Sequence, residues 1–337
     1  MADDWKRRLE RAHREMVGRD DPVEWVKEAS GVEASLRYPR LALRGPLFGV
    51  AVERERGQGW EVVREIGAGM PQEARDSLNS LLWFRAKDDT DDPEVRRDLL
   101  AAVAILEKEP VNEVEAVGER YRIVRADEFA RSGDDGLEPP RPTDPDPAEP
   151  SWDDRNGPPS PDLGFVLTPE RTDGLTQEAL KLGLRTFAYT GDRYPARVRN
   201  DSLRAVETHP DIALLPVTFG VAERNGAGWQ PRGGLQPTPH EARRLLYSGM
   251  TDIWARIYKY PEDKAERFRL AGEEFRAAGR ADEARVGSRL FRICRVERLV
   301  RFGPDGPEMP RPSDVDEYGP IKMHPTMDLD GTVHHGR

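Results

Sequence analysis

Two short polar segments carry the residue types and spacing best suited to binding a ligand. Arg141-Pro142-Thr143-Asp144 and Arg311-Pro312-Ser313-Asp314 each place an arginine three residues before an aspartate. An arginine can hold a carboxylate or phosphate through two hydrogen bonds, and an aspartate accepts hydrogen bonds from amides and cations. Alternatively, each segment is an ordered strap on the surface of its own domain, with arginine and aspartate paired locally. The sequence leaves both interpretations open.

A glycine turn before a helix is a second candidate for anion binding. Gly67-Ala68-Gly69 precedes a helix that carries Arg75, and a helix N-terminus with an arginine one turn in can hold an anion. Arg243 stands at the corresponding place later in the chain. The competing interpretation is a tight turn, with the arginine paired to a surface carboxylate.

Two tryptophans also stand at corresponding points. Trp60 and Trp229 each follow the turn of a predicted hairpin. Each tryptophan is either a flat platform for a ligand or a residue that covers the sheet, and the second role is the more usual one for this side chain.

A run of arginines near the C-terminal end could bind nucleic acid. Against this, the chain has a formal net charge of −10, which repels phosphate backbones. Acidic neighbours such as Glu283 and Glu297 instead favour a solvated strand and turn. The arginines of the run are Arg285, Arg289, Arg292, Arg295, Arg298 and Arg301.

The remaining reactive side chains form no pattern typical of catalysis. Cys294 is the single cysteine, so the chain can form neither an internal disulfide nor a cysteine metal cluster. It lies in an apolar, strand-like run, where we expect a small buried thiol. The six histidines are dispersed, apart from His334-His335. We therefore expect no catalytic residue, no metal site and no cofactor.

The elements that position these residues occur twice. Blocks of sequence recur in the same order about 170 residues apart, which predicts a tandem duplication of one unit. The first-copy blocks include Phe48-Gly49-Val50-Ala51, Gly59-Trp60, Arg122-Ile123-Val124-Arg125 and residues 133–144. Their counterparts are Phe219-Gly220-Val221-Ala222, Gly228-Trp229, Arg292-Ile293-Cys294-Arg295 and residues 303–314.

Each copy has the pattern of an α+β unit with a small antiparallel sheet and packed helices. The order is helix, hairpin, two helices, strand and proline-containing arm, and two such units would pack about a pseudo-twofold axis. Asn225-Gly226 is typical of a hairpin turn. In the first copy the helices start at Asp21-Pro22, Pro71 and Asp92-Pro93, and the strands are 41–53, one from Trp60 and one through Tyr121 and Ile123.

These features divide the chain of 337 residues into five parts. We predict an N-terminal helix over 1–19, repeat unit A over 20–146, a linker with a connecting helix over 147–190, repeat unit B over 191–316 and a tail over 317–337. The linker is rich in proline and acidic residues. Residues 145–161 should be the first site of limited proteolysis, and cleavage there is expected to release two folded halves.

The arm at 303–314 resembles a family of actinobacterial proteins that carries only a domain-of-unknown-function label. The resemblance extends over most of the chain, but its specific motif is this one arm. It supports the domain organisation and implies no activity.

Composition and motifs together favour a non-catalytic, cytoplasmic binding or regulatory protein, with another protein as the expected partner. No segment approaches the 18 or so apolar residues of a membrane span, and the N-terminus has no apolar signal core. One alternative is an enzyme with a site between the two units, acting on an anionic small molecule near Arg75 and Arg243. The other is a nucleic-acid binder that uses the basic run over 285–301.

Overall fold

The structure is a computed structural model that describes residues 7, 10, 14, 21–153, 157–171, 174–226 and 228–334. The fold is α+β, with helices packed on a large antiparallel sheet. The predicted N-terminal helix over 1–19 lies outside the described residues, except at positions 7, 10 and 14.

The N-terminal half contains three helices and five strands between residues 22 and 137. Two of its helices begin where aspartate and proline predict: Asp21 accepts from the Val23 amide at 2.9 Å, and Asp92 accepts from the Glu94 amide at 2.8 Å. The elements are α1 (Pro22–Arg37), β1 (Arg40–Glu53), β2 (Trp60–Ala68), α2 (Pro71–Asp88), α3 (Pro93–Leu106), β3 (Glu113–Ala116), β4 (Glu119–Gly133) and β5 (Gly136–Leu137).

A connecting region and a C-terminal half follow. The connection holds β6 (Val166–Leu167) and one helix, α4 (Leu175–Leu184), within the range 147–190 where the sequence predicts a connecting helix. The C-terminal half contains α5 (Ala196–Thr208), β7 (Asp211–Leu214), β8 (Thr218–Asn225), β9 (Gly228–Gln236), α6 (Pro239–Ser248), a π-helical turn (Gly249–Ile253), α7 (Trp254–Ile257), α8 (Glu262–Ala277), β10 (Glu283–Val286), β11 (Arg289–Gly303) and β12 (Gly306–Pro307). The short strands β13 (Thr326–Met327) and β14 (Val333–His334) come last.

One antiparallel sheet runs through both halves in the strand order β6-β2-β1-β4-β11-β8-β9. The long strands β4 and β11 pair at its centre, where Glu128 lies opposite Arg298. We predicted a small sheet in each copy, and that part of the prediction is wrong. Two separate sheets would leave the edges of β4 and β11 without hydrogen-bond partners, and pairing the two strands with each other satisfies those groups.

The helices of each half pack on the sheet and form two apolar cores. In the N-terminal half, Leu78 and Leu82 of α2 are fully buried in a cluster with Ile123 of β4. In the C-terminal half, Leu246 of α6 packs in a cluster with Ile293 of β11. Because side chains alternate along a strand, the residues between these core positions face the other side of the sheet.

Candidate functional site

Charged residues occupy alternate positions of the two central strands. On each strand, every second residue after the core position Ile123 or Ile293 points to the same face of the sheet, and most of these residues are charged. Arg125, Asp127, Arg131 and Arg301 are buried, and Arg295 and Glu297 are mostly buried. Charges at this depth require partners. The row on β4 is Arg125, Asp127, Phe129 and Arg131, and the aligned row on β11 is Arg295, Glu297, Leu299 and Arg301.

The two arms supply many of those partners, and each arm crosses to the opposite half. We call residues 138–146 the first arm and 308–316 the second arm. The Arg295 amide of β11 donates to the Glu138 carbonyl at 2.9 Å, and its Nε donates to Asp144 Oδ1 at 3.2 Å. The Arg125 amide of β4 donates to the Glu308 carbonyl at 2.9 Å, and its Nε donates to an Asp314 oxygen at 3.0 Å.

Within each arm the arginine and aspartate bond locally, but through the backbone. The Arg141 amide donates to Asp144 at 2.8 Å, and the Arg311 amide donates to Asp314 at 2.7 Å. The guanidinium groups turn to a glutamate of the same arm, at 2.6 Å for Arg141 and 2.7 Å for Arg311. Both arms are therefore ordered polar turns.

Arg75 and Arg243 are buried, and each holds an aspartate from the opposite half. Arg75 Nη1 lies 2.7 Å from Asp316 of the second arm, and the Gln72 amide at the start of α2 donates to the same carboxylate. Arg243 Nη1 lies 2.8 Å from Asp146 of the first arm. The helix N-termini thus bind anions of this chain itself.

The two tryptophans cover the sheet beside the glycine turn of the opposite half. Trp60 is buried, and the Arg122 guanidinium lies 4.6 Å from its ring centre. Trp229 is half-buried, with the Arg292 guanidinium at 5.1 Å. A Cβ added at Gly136 would lie 2.7 Å from the Trp229 ring, so the turn touches the ring closely.

A cavity of about 310 Å³ opens between the first arm, α1, α4 and the strand β11. Its apolar wall comes from the segment that follows β7 and from α4. Among the described lining residues, the cations are Lys27, Arg131, Arg141, Arg171 and Arg295. The lining carboxylates are Glu28, Asp144 and Glu297, which leaves an excess of two positive charges in a chain whose net charge is −10.

Arg131 is the unusual member of this lining. Its side chain is 9% exposed, and its buried Nε has no hydrogen-bond partner. Within the described part of the chain, no ion pair or hydrogen bond reaches its guanidinium. One carboxylate oxygen in the same lining, Oε2 of Glu297, is also buried without a partner, whereas its Oε1 accepts from Arg295. Such groups cost free energy unless something else satisfies them.

The aligned residues on the other side of the β4–β11 pair are satisfied. Arg301, the counterpart of Arg131, donates to the carbonyls of Leu184, Arg185, Phe187 and His209. Asp127, the counterpart of Glu297, accepts from the Tyr189 hydroxyl at 2.5 Å and lies 2.9 Å from Arg125. Around Arg301 and Asp127, groups of the chain itself therefore occupy the space that is a cavity around Arg131 and Glu297.

The two carboxylates of these rows, Glu297 and Asp127, favour the ionised form. Burial alone would raise the pKa of Glu297, but the charges of Arg295 and Arg131 outweigh burial and hold that pKa below its usual value. Burial likewise opposes ionisation of Asp127, whose pKa is lowered by Arg125 and Arg311. An ionised carboxylate only accepts hydrogen bonds, so the unpaired Glu297 oxygen requires a donor.

Of the residues singled out from sequence, the cavity brings together Arg141 and Asp144 of the first arm with Arg295 of the basic run and its acidic neighbour Glu297. Arg311 and Asp314 form the aligned turn, while Arg75, Arg243, Trp60 and Trp229 lie elsewhere. Sequence reasoning missed Arg131 as a site residue. The available signal was the placement of Arg125, Asp127 and Arg131 on the same face of a predicted strand. Such a strand must either expose that face or bury its charges in pairs.

The basic run is largely paired within the protein. Arg289 binds Glu223 with an Nη2–Oε2 distance of 2.9 Å, and the Arg292 Nε lies 2.8 Å from Glu283. Arg298 is buried against Asp162, with an Nη2–Oδ1 distance of 2.7 Å. Cys294 is buried as predicted, and burial raises the pKa of its thiol to about 12.

No helix in the described part of the chain is long and apolar enough to cross a membrane. No group of three or more His, Cys, Asp or Glu side chains among the described residues could hold a metal ion.

Comparison with known proteins places the chain in a family. A comparison with curated proteins gave no match, and neither did a comparison with solved structures. The model of the family described as "Family of unknown function (DUF5954)" matches residues 21–317, which is most of the chain. The protein therefore belongs to the DUF5954 family, whose function is unknown.

Proposed function

We propose that this protein is a binding protein that holds a small anionic ligand in the cavity around Arg131. The observation that carries the proposal is Arg131, which is 9% exposed and whose buried Nε has no hydrogen-bond partner. Among the described residues no group forms a hydrogen bond with its side chain. A buried arginine cannot escape its cost by losing a proton, since its pKa is too high. An acidic group from a ligand would supply the missing acceptor.

The surroundings of Arg131 support an anion over a cation. Arg141 and Arg295 line the cavity together with Arg131, and each of these two also binds a carboxylate, Glu138 for Arg141 and Asp144 for Arg295. A concave site with low-dielectric walls strengthens the positive electrostatic potential that these arginines create. A volume of about 310 Å³ suits a small molecule, at the lower end of the range of about 300–1,000 Å³ for ligand sites.

Contacts elsewhere favour this function over the two alternatives. An enzyme site for an anionic substrate near Arg75 and Arg243 would have to displace Asp316 and Asp146, which already fill those sites. A nucleic-acid surface over 285–301 would compete with the ion pairs that Arg289, Arg292 and Arg298 make.

The experiment is thermal denaturation of the full chain with benzoate or inorganic phosphate as probes. Binding at ten times the dissociation constant stabilises the folded state by about 1.4 kcal/mol, which raises the melting temperature by a few degrees. We expect that rise in the unmodified protein and in Arg56→Met, a control that removes an exposed arginine. Arg131→Met should abolish it. An equal rise in Arg131→Met, or no response to either probe, would overturn the proposal.

We also propose that the two halves descend from one duplicated unit and pack about a pseudo-twofold axis. The same order of elements occurs in both halves, and Asp127 pairs with Leu299 as Phe129 pairs with Glu297, in a symmetric register. The crossed arms are reciprocal in the same way. A crystal structure in which the halves fail to superpose with a common strand order would contradict this proposal.

A further inference from the structure

Glu297 and Arg131 line the same cavity, and each has one buried polar atom without a hydrogen-bond partner, Oε2 of Glu297 and Nε of Arg131. The first atom needs a donor and the second needs an acceptor. From this geometry we propose that the ligand is a hydroxyaryl carboxylate. Its carboxylate would bind Arg131, and its hydroxyl would donate to Glu297. This inference rests on the proposed function, because it specifies the ligand of the same site.

The first support is the way the chain satisfies Asp127. Asp127 is aligned with Glu297, and its hydrogen-bond donor is a phenol, the hydroxyl of Tyr189 at 2.5 Å. The Tyr189 ring is buried beside the rings of Phe187 and Tyr194, at centroid distances of 5.8 and 4.7 Å. An aromatic hydroxyl on a buried carboxylate is thus a contact that this fold already makes at the aligned position.

The second support is the way the chain satisfies Arg301. Arg301 is aligned with Arg131, and oxygen acceptors from the end of α4 and from His209 surround its guanidinium. Arg131 has no such carbonyls around it, so its acceptors must come from outside the described chain. A carboxylate presents two oxygens in the spacing that a guanidinium binds through paired hydrogen bonds.

The two residues lie close enough for one small ligand to contact both. Glu297 lies opposite Phe129 in the β4–β11 pairing, and Arg131 is the next residue on the same face of β4. The backbones of such diagonal neighbours are about 7–8 Å apart, which is within the reach of a ligand the size of one aromatic ring. The adjoining wall is apolar, with Leu180, Leu214 and Pro216, which suits the faces of a ring.

The charge state of Glu297 supports a hydroxyl donor. Arg295 bonds its other oxygen, and the positive charges of Arg295 and Arg131 lower the pKa of this carboxylate despite burial. The carboxylate is therefore a charged acceptor at neutral pH, and a neutral ring without a hydroxyl would leave it unsatisfied. Sites built to bond a hydroxyl discriminate strongly against analogues that lack one.

The test is calorimetric titration of the full chain with four probes: benzoate, phenol, and meta- and para-hydroxybenzoate. We expect one hydroxybenzoate isomer to bind at least tenfold more tightly than benzoate, and phenol to bind most weakly. In Glu297→Gln the preference for the hydroxyl should fall to threefold or less while benzoate affinity is kept. Retained benzoate binding also shows that the variant is folded.

The outcomes separate this inference from the proposed function. Equal affinity for benzoate and both hydroxybenzoates would overturn the hydroxyl contact and leave anion binding standing. A tenfold preference that survives in Glu297→Gln would place the hydroxyl elsewhere and would also overturn the inference. No binding of any carboxylate would overturn both proposals together.

Discussion

Arg131 and Arg301 occupy aligned positions of β4 and β11 but differ in their hydrogen bonds. Arg301 fixes four backbone carbonyls, and Arg131 fixes none within the described chain. A side chain held for a ligand is often a cost to the free protein, since sites for function are seldom optimised for stability. This contrast can be measured with the same substitution at both positions.

Arg301→Met should destabilise the protein more than Arg131→Met does without ligand. Methionine leaves the carbonyls around Arg301 without their donor, at about 1–3 kcal/mol for buried groups left unsatisfied. At position 131 methionine breaks no hydrogen bond to a described group and keeps the apolar stem, and it removes only the favourable charge interaction with Glu297. Urea denaturation would measure both free energies of unfolding. Equal losses in the two variants would contradict the absence of partners around Arg131.

Asp127 should contribute stability that depends on pH. Arg125 and Arg311 lower its pKa below the value of about 3.9 in an unfolded chain, although burial opposes them. Between the two pKa values the unfolded chain binds more protons, so stability rises with pH and the contribution is complete above about pH 5.

The destabilisation by Asp127→Asn should therefore be largest above about pH 5 and shrink as the pH falls through the folded pKa. Urea midpoints measured between about pH 2 and 7 would show this trend. Asp135→Asn, at an exposed ion pair, is the control and should show little dependence on pH. A destabilisation that stays constant over the whole range would contradict the lowered pKa of Asp127.

At the scale of elements, the N-termini of helices α2 and α6 each bind an aspartate from the arm of the opposite half. Asp316 accepts from the Gln72 amide and from Arg75, and Asp146 accepts from the His240 amide and from Arg243. A carboxylate at a helix N-terminus is favourable for the exposed amides and for the helix dipole. The arms therefore tie helices of one half to the chain of the other.

Asp316→Ala should lower the free energy of unfolding by about 2–4 kcal/mol, because it leaves the buried Arg75 without its carboxylate. Glu317→Ala is the matched control, since Glu317 is adjacent and exposed. The double variant with Arg75→Met should lose less than the sum of the two single variants. Strict additivity in urea denaturation would contradict the direct pairing.

At the scale of the whole molecule, the two halves share a sheet and exchange arms. β4 pairs with β11, and each arm donates to or accepts from a strand of the other half. From sequence we expected cleavage within 145–161 to release two folded halves. The structure changes that expectation, since each half would lose both its central strand partner and the arm that covers it.

A protease site inserted within 147–153, which contains neither helix nor strand, should therefore be cut without separating the halves. The nicked protein is expected to elute as one species in size exclusion and to separate only in denaturant. Elution of two folded fragments in native buffer would show that the shared sheet and crossed arms contribute little to holding the two halves together. The uncut variant with the same insert is the control for elution in native buffer. The cut variant in denaturant is the control that shows that the chain has been cleaved.

Local signals in the sequence determined much of the secondary structure. Helices begin at Pro71 and Pro93, and a strand passes through Tyr121 and Ile123, as proline positions and apolar periodicity predicted. These signals act over a few residues, through N-caps and alternating burial, so they can be recognised without the fold. The repeated order of elements was visible for the same reason.

The sequence by itself determined the α+β class, the element order and the family, but only the tertiary structure decided the site. Whether a charge is paired depends on groups distant in sequence: carbonyls near residue 185 accept from Arg301, and no described group accepts a hydrogen bond from the Arg131 side chain. The joining of two predicted sheets into one, and the crossing of the arms, likewise depend on which edges meet in space. Pairing across long separations leaves no local pattern in the sequence, because burial and hydrogen bonding are settled only when the whole chain has packed.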